Sequence, residues 1–99
     1  MELLARVATF LEDVDGDIQV SGYTDDVPIR TVRFPSNWEL SAARAISVVR
    51  LLRQMGIAET KMQAVGHGAN RPIASNSHAI GRSINRRVTI DVTPRPGPS

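Results

Sequence analysis

A chain of 99 residues, 41% of them hydrophobic, has room for one domain around one core, so a single fold must carry any function. Twelve Lys+Arg against ten Asp+Glu leave a formal net charge of +2 with the signs interspersed, too slight a bias to single out a polyanionic partner. No cysteine is present, which excludes disulfides, thiolate chemistry and Cys-ligated zinc, and no apolar run approaches the roughly 20 residues of a membrane-spanning helix.

From Glu2 to Asp13, Leu3, Leu4, Val7, Phe10 and Leu11 recur at helical spacing and predict an amphipathic helix that stops near Val14-Asp15-Gly16-Asp17. Ile18, Val20 and Gly22 then alternate with Gln19, Ser21 and Tyr23, the period of a half-buried strand, which runs into Thr24-Asp25-Asp26. After a loop from Val27 to Pro35, Ser36-Asn37-Trp38-Glu39 reads as a capping box, with Glu39 reaching back to Ser36. The helix it opens carries a stripe of Leu40, Ala43, Ser47, Val48, Leu51, Leu52 and Met55, and Gly56 supplies its stop.

A second strand is expected from Met62 to Val65, ending in Gly66-His67-Gly68 and followed by a long loop through Asn70, Pro72, Ser75 and Asn76. Ala79 to Arg86 predicts a short helix, and Val88-Thr89-Ile90-Asp91-Val92 a last strand with Val88, Ile90 and Val92 inward. Thr93 to Ser99, rich in Pro, reads as an extended or disordered tail. Helix and strand thus alternate three times, predicting an α/β (α+β) sandwich with helices packed on one face of a sheet.

Most candidate chemistries fail on spacing. Neighbouring side chains on a strand point to opposite faces, so Asp25 and Asp26 do not readily share one proton or one ion, and one of them facing a pocket is the better expectation. Ser41, His67, His78 and Asp25 supply triad ingredients without a nucleophile elbow, and two histidines in separate loops make a weak metal site. Gly66-x-Gly68 lacks the third glycine of a dinucleotide fingerprint, so its glycines serve a tight turn or a positive φ. Arg82, Arg86 and Arg87 form a basic cluster with no aromatic interleaved, which argues against nucleic acid. Eleven of the twelve basic residues are Arg, the side chain whose planar fork matches a carboxylate. What remains is Asp25 at a strand end and Arg44 early in the best-defined helix. Facing one cleft, they would suit a zwitterion, the ammonium against carboxylate and the carboxylate against guanidinium. Spacing alone favours an ordinary intramolecular salt bridge over that arrangement.

Gly22-Tyr23-Thr24-Asp25, Asn37-x-x-Leu40-Ser41-x-x-Arg44-Ala45, Gly56-Ile57, Gly66-x-Gly68-x-x-x-Pro72, Asn76 and Gly81-Arg82-x-x-Asn85-Arg86-Arg87-Val88 occur in the order of the OmpA-like C-terminal domain, which this chain resembles over residues 18 to 92. Asp25-Asp26-Val27-Pro28-Ile29 and Arg33-Phe34-Pro35-Ser36-Asn37-Trp38-Glu39-Leu40-Ser41 are similar, more narrowly, to the MotB/PomB stator subunits of the flagellar motor. The resemblance implies a mixed sheet, a peptidoglycan-binding domain over residues 1–93 and a tail over 94–99. It implies noncatalytic binding of the diaminopimelate of the stem peptide in the periplasm, with no cofactor and no metal. Carried over by motif, Asp25 would hold the ligand's ammonium and Arg44 its carboxylate. Thr24, Asn37, Leu40 and Ser41 would shape the pocket, and Arg86 would close it or pair internally. Implied partners are peptidoglycan, a second copy in a homodimer and, in a full-length inner-membrane-anchored protein, a multi-span MotA/PomA-like subunit. The alternative is an outer-membrane lipoprotein or porin-linked anchor of the Pal or OmpA type. Two departures stand out: Tyr23 occupies a place where the family often has His, and the chain begins at a helix where the family begins with a strand, so that first strand is expected to be missing or supplied elsewhere.

Overall fold

Gly16–Gly22 forms the central strand β1, because Ile18 and Val20 are apolar on one face and must be covered. The computed structural model describes residues 2–12 and 16–94. In chain order these form α1 (Glu2–Glu12), β1, α2 (Asn37–Gln54), a 3-10 turn (Glu59–Lys61), β2 (Met62–Gly66), α3 (Ala79–Asn85) and β3 (Val88–Pro94). The sheet is mixed, with β1 between β2, parallel to it, and β3, antiparallel. Asp13, Val14 and Asp15 of the expected turn, and residues 95–99 of the expected tail, lie outside the described residues. The last strand runs two residues further than alternation suggested: Thr93 and Pro94 pair with Asp17 and Gly16.

Ala8 and Leu11 of α1, Ile18 and Val20 of β1, Ala45 and Leu52 of α2 and Ile57 make the buried core, with Val88, Ile90 and Val92 of β3 packed against it from the expected face. The α1 face is turned from its expected position: Leu3 and Phe10 are exposed, while Val7, Ala8 and Leu11 look inward. The α2 stripe is displaced too. Ser47 is exposed and bonded to the Ala43 carbonyl, and the deeply buried positions are Ser41, Ala45 and Leu52.

Small residues are inward because of what lies beneath them. Gly22 and Gly66 are register partners at the C-terminal ends of β1 and β2. A Cβ on Gly22 would stand 2.1 Å from the Ser41 carbonyl oxygen, and one on Gly66 would stand 2.6 Å from the Ala42 amide nitrogen. The two strands therefore present bare backbone on which the first turns of α2 rest. Their side-chain-free contact fixes how close that helix comes to the strand ends.

Capping of α2 departs in detail from the expected box. Ser36, in extended backbone, accepts from the Trp38 N–H, while its hydroxyl donates to the Glu39 carboxylate. That bond, reinforced by the Glu39 and Ser36 amides, holds the Glu39 carboxyl below its ordinary value of 4.5. A lowered folded-state value means that the contribution is complete above about pH 4.5 and is lost as pH falls through the lowered value. Ser36→Ala should cost about 1 kcal/mol of stability at neutral pH by losing the cap. The gap between urea melts of parent and variant should narrow as pH falls through the lowered Glu39 value, leaving the part due to the Trp38 N–H bond, which does not titrate.

The third helix ends at Asn85, with Arg86 as its cap, and its buried residues are Gly81 and Asn85, the Gly81 backbone lying against Ser75. Asn85 Oδ1 accepts from the Ile73 and Ala74 amides, and its Nδ2 donates to the Ala74 carbonyl and the Asn76 side chain, at 2.8–3.0 Å. One saturated side chain thus ties the long loop to α3. On the opposite face of the sheet, Tyr23 stacks on His67 with centroids 4.7 Å apart, and the Arg87 guanidinium lies 3.7 Å over the Tyr23 ring.

Candidate functional site

Past Gly22 the chain leaves the sheet without losing its partners. The Tyr23 amide donates to the Arg87 carbonyl and the Thr24 amide to the Gly68 carbonyl, so Thr24 and Asp25 are carried out over the strand ends in fixed backbone. Asp25 then turns the chain: its Oδ1 accepts from the Val27 N–H at 3.0 Å, and the Asn37 amide donates to the carbonyls of Asp25 and Val27. The first turn of α2 is in this way stitched to the loop that bears the carboxylate.

Asn37, Leu40 and Arg44 follow one another at i, i+3 and i+7 on the same helix face. They line a hollow of about 360 Å³ together with Thr24, Asp25, Arg82 and Arg86, roofed by Val27, Pro28 and Ile29. Asp25 is 7% exposed and its Oδ2 accepts from the Arg86 guanidinium at 2.7 Å. Arg44 is exposed and makes no hydrogen bond or ion pair among the described residues. The wall thus carries a buried acid already paired with one guanidinium, a second guanidinium from Arg44 and a third from Arg82, whose Nη1 donates to the Asn76 carbonyl. Three guanidiniums and one carboxylate thus line one concave spot.

Six of the seven expected residues, Thr24, Asp25, Asn37, Leu40, Arg44 and Arg86, converge on this hollow. Ser41 lies outside its lining. Completely buried, its hydroxyl accepts from the Gly68 amide at 2.9 Å and donates to the Trp38 carbonyl at 3.0 Å, bracing the loop after β2 against α2. Asp26 is absent from this lining and borders a neighbouring hollow. Arg82, read from sequence only as part of a basic cluster, and the Val27–Ile29 roof were not foreseen as lining. Another hollow, of about 240 Å³, opens at the far end of the sheet beside Gln19, Thr60 and Gln63, and no expected site residue reaches it.

The OmpA family profile matches residues 1–86. This chain belongs to the OmpA family. It is 44% identical to motility protein B of Bacillus subtilis over 80 residues, 80% of this chain and 31% of that protein. It is also 40% identical to the peptidoglycan-binding protein ArfA of Mycobacterium bovis, over 92% of this chain and 27% of that one. The chain therefore spans about a third of the length of the curated relatives it matches. Among solved structures, the C-terminal domain of Helicobacter pylori MotB superposes with a TM-score of 0.88 at 32% identity, covering 95% of this chain and 73% of that one. The cell wall anchor of the T6SS from Pseudomonas aeruginosa does so with a TM-score of 0.85 at 44% identity, covering 95% and 66%. OmpA-family membership matches the motif order read from Gly22 to Val88, and the α/β sandwich over a mixed sheet is the fold of the MotB domain.

Proposed function

We propose that this domain is a noncatalytic anchor that binds peptidoglycan in the periplasm, gripping the diaminopimelate of the stem peptide, and that it holds a flagellar stator unit to the cell wall. The observation carrying the proposal is the shared hollow of Asp25 and Arg44, opposite charges from a strand end and a neighbouring helix. Where its side-chain amine is free of a cross-link, the diaminopimelate of a stem peptide ends in an ammonium and a carboxylate on one carbon, which this charge pair complements. The wall-binding relatives support the polymer, and the Phe34-Pro35-Ser36-Asn37-Trp38-Glu39 run supports the motor assembly. A second assembly, a secretion-system wall anchor, is favoured by the likeness to the Pseudomonas protein and leaves the ligand unchanged. So small a head group offers little apolar area, and holding force would come from dimers and many parallel units.

Cosedimentation with purified sacculi tests the ligand. A free stem tetrapeptide containing diaminopimelate should release the bound domain, whereas the same peptide with lysine, whose side chain ends in an ammonium alone, should be at least ~10-fold weaker for want of one charge-assisted pair. Equal competition by the two peptides would remove Arg44 from its assigned role. Sustained release of wall fragments would overturn the noncatalytic reading.

A further inference from the structure

Tyr23, His67 and Arg87 do not line the hollow, yet they join the segments that build it. The Tyr23 ring is parallel to the His67 imidazole within 11°, with centroids 4.7 Å apart, and the Arg87 guanidinium stands 3.7 Å over the same ring. Tyr23 is the hub of the group. His67 Nε2 is buried without a hydrogen bond, so the contact with Tyr23, and not a bond at that nitrogen, orients the imidazole. Arg87 is held from its other side, its guanidinium donating to the Asn85 carbonyl at 3.4 Å and the Arg71 carbonyl at 3.2 Å.

Each of the three stands beside a residue that shapes the site. Tyr23 precedes Thr24 and Asp25, His67 precedes Gly68, whose carbonyl accepts from the Thr24 amide, and Arg87 follows Arg86, whose guanidinium closes on Asp25 at 2.7 Å. The backbone is tied in the same places. The His67 amide donates to the Gly22 carbonyl at 3.0 Å and the Tyr23 amide to the Arg87 carbonyl at 2.9 Å. One hydrogen bond at a junction tolerates a broad range of angles, whereas planar groups packed against a common ring leave far less freedom to twist.

We infer that Tyr23 is a positioning residue for the peptide site: from outside the hollow, its ring locks the junction of α3 and β3 to the end of β1 and so sets where Arg86 and Asp25 stand relative to Arg44. The inference rests on the wall-binding proposal. The ring carries the role and the hydroxyl does not, since the phenol oxygen makes no hydrogen bond among the described residues.

Tyr23→Phe and Tyr23→Leu separate the ring from the hydroxyl. Cosedimentation with sacculi, well below the melt of each variant, should give Tyr23→Phe the affinity of the parent and Tyr23→Leu an affinity about three- to tenfold weaker, the loss expected when one ring gives up an aromatic and a cationic partner. Proton NMR reads the stack with no ligand present. An imidazole proton of His67 should lie upfield in the parent and in Tyr23→Phe, shifted by the adjacent ring, and should return to its ordinary position in Tyr23→Leu. Should Tyr23→Leu fail to fold, His67→Ala, which withdraws the partner ring and keeps Tyr23, carries the same expectation of weaker binding. Parent-like binding by the folded variant that lacks the stack overturns the inference. So does equal weakening in Tyr23→Phe and Tyr23→Leu, which would assign the effect to the hydroxyl, or an upfield proton that survives in Tyr23→Leu. Failure of the diaminopimelate tetrapeptide to release the parent domain condemns the wall-binding proposal instead, before any variant is compared.

Discussion

Asp25→Asn is expected to reduce cosedimentation with sacculi to background while leaving the fold in place. Asparagine keeps the shape and keeps an oxygen for the Val27 amide, so the turn over α2 survives. What disappears is charge. Without the carboxylate, Arg44, Arg82 and Arg86 surround the hollow with nothing to offset them, and an incoming ammonium meets three cations. A hydrogen bond to a charged partner is worth about 1.5–3 kcal/mol, or roughly ten- to a hundredfold in affinity, and repulsion adds to the loss. Arg86 is 45% exposed, so losing its ion pair should cost only about 1 kcal/mol of stability. Arg44→Ala should abolish binding through the other half of the ligand, with an unchanged melt, because Arg44 has no partner among the described residues to strand. Both variants are checked by the same cosedimentation beside a thermal melt. Undiminished binding in both would reduce the hollow to a structural feature.

Gly22→Ala is expected to damage stability and binding together. The new methyl would sit 2.1 Å from the Ser41 carbonyl oxygen and 2.9 Å from its carbon, atoms of a helix backbone that cannot swing aside. Relief requires the first turns of α2 to lift from β1, at a cost near the upper end of overpacking penalties, about 3 kcal/mol. The lift separates Asn37, Leu40 and Arg44 from Asp25, so binding should fail even where the variant remains folded. An adjacent control, Ser21→Ala, alters β1 on its other face and should leave binding intact. A Gly22→Ala variant melting like the parent would show that α2 is not seated on bare strand backbone.

What the sequence disclosed depends on how local each signal is. Period-2 alternation located β1 and β3, and the Ser36–Glu39 spacing located the start of α2, because each is written within a few residues. Elimination of other chemistries, and then motif order, brought Asp25 and Arg44 to attention, although their convergence depends on a helix resting on Gly22 and Gly66. The α2 stripe was displaced because hydrophobicity alone ranks Ser41 below Ala43, while the structure gives the Ser41 hydroxyl a buried partner 27 residues away. Arg86 closing on Asp25 spans 61 residues, and its alternative fates could not be separated by spacing. The place of Arg82 in the hollow was not legible for a related reason. Its direction follows from how Asn85 ties α3 to the loop at Ile73–Asn76, a contact no periodicity records.

The ion pair between Asp25 and Arg86 bears on how such a tether lets go. On the anchoring proposal, an arriving ammonium would find the acid occupied and would have to trade places with, or squeeze beside, the Arg86 guanidinium. Handover between two cations leaves little free-energy difference and no empty intermediate, so single attachments should be brief and re-formed often. A machine fastened through many contacts of this kind would creep and reseat under load without tearing the mesh that holds it.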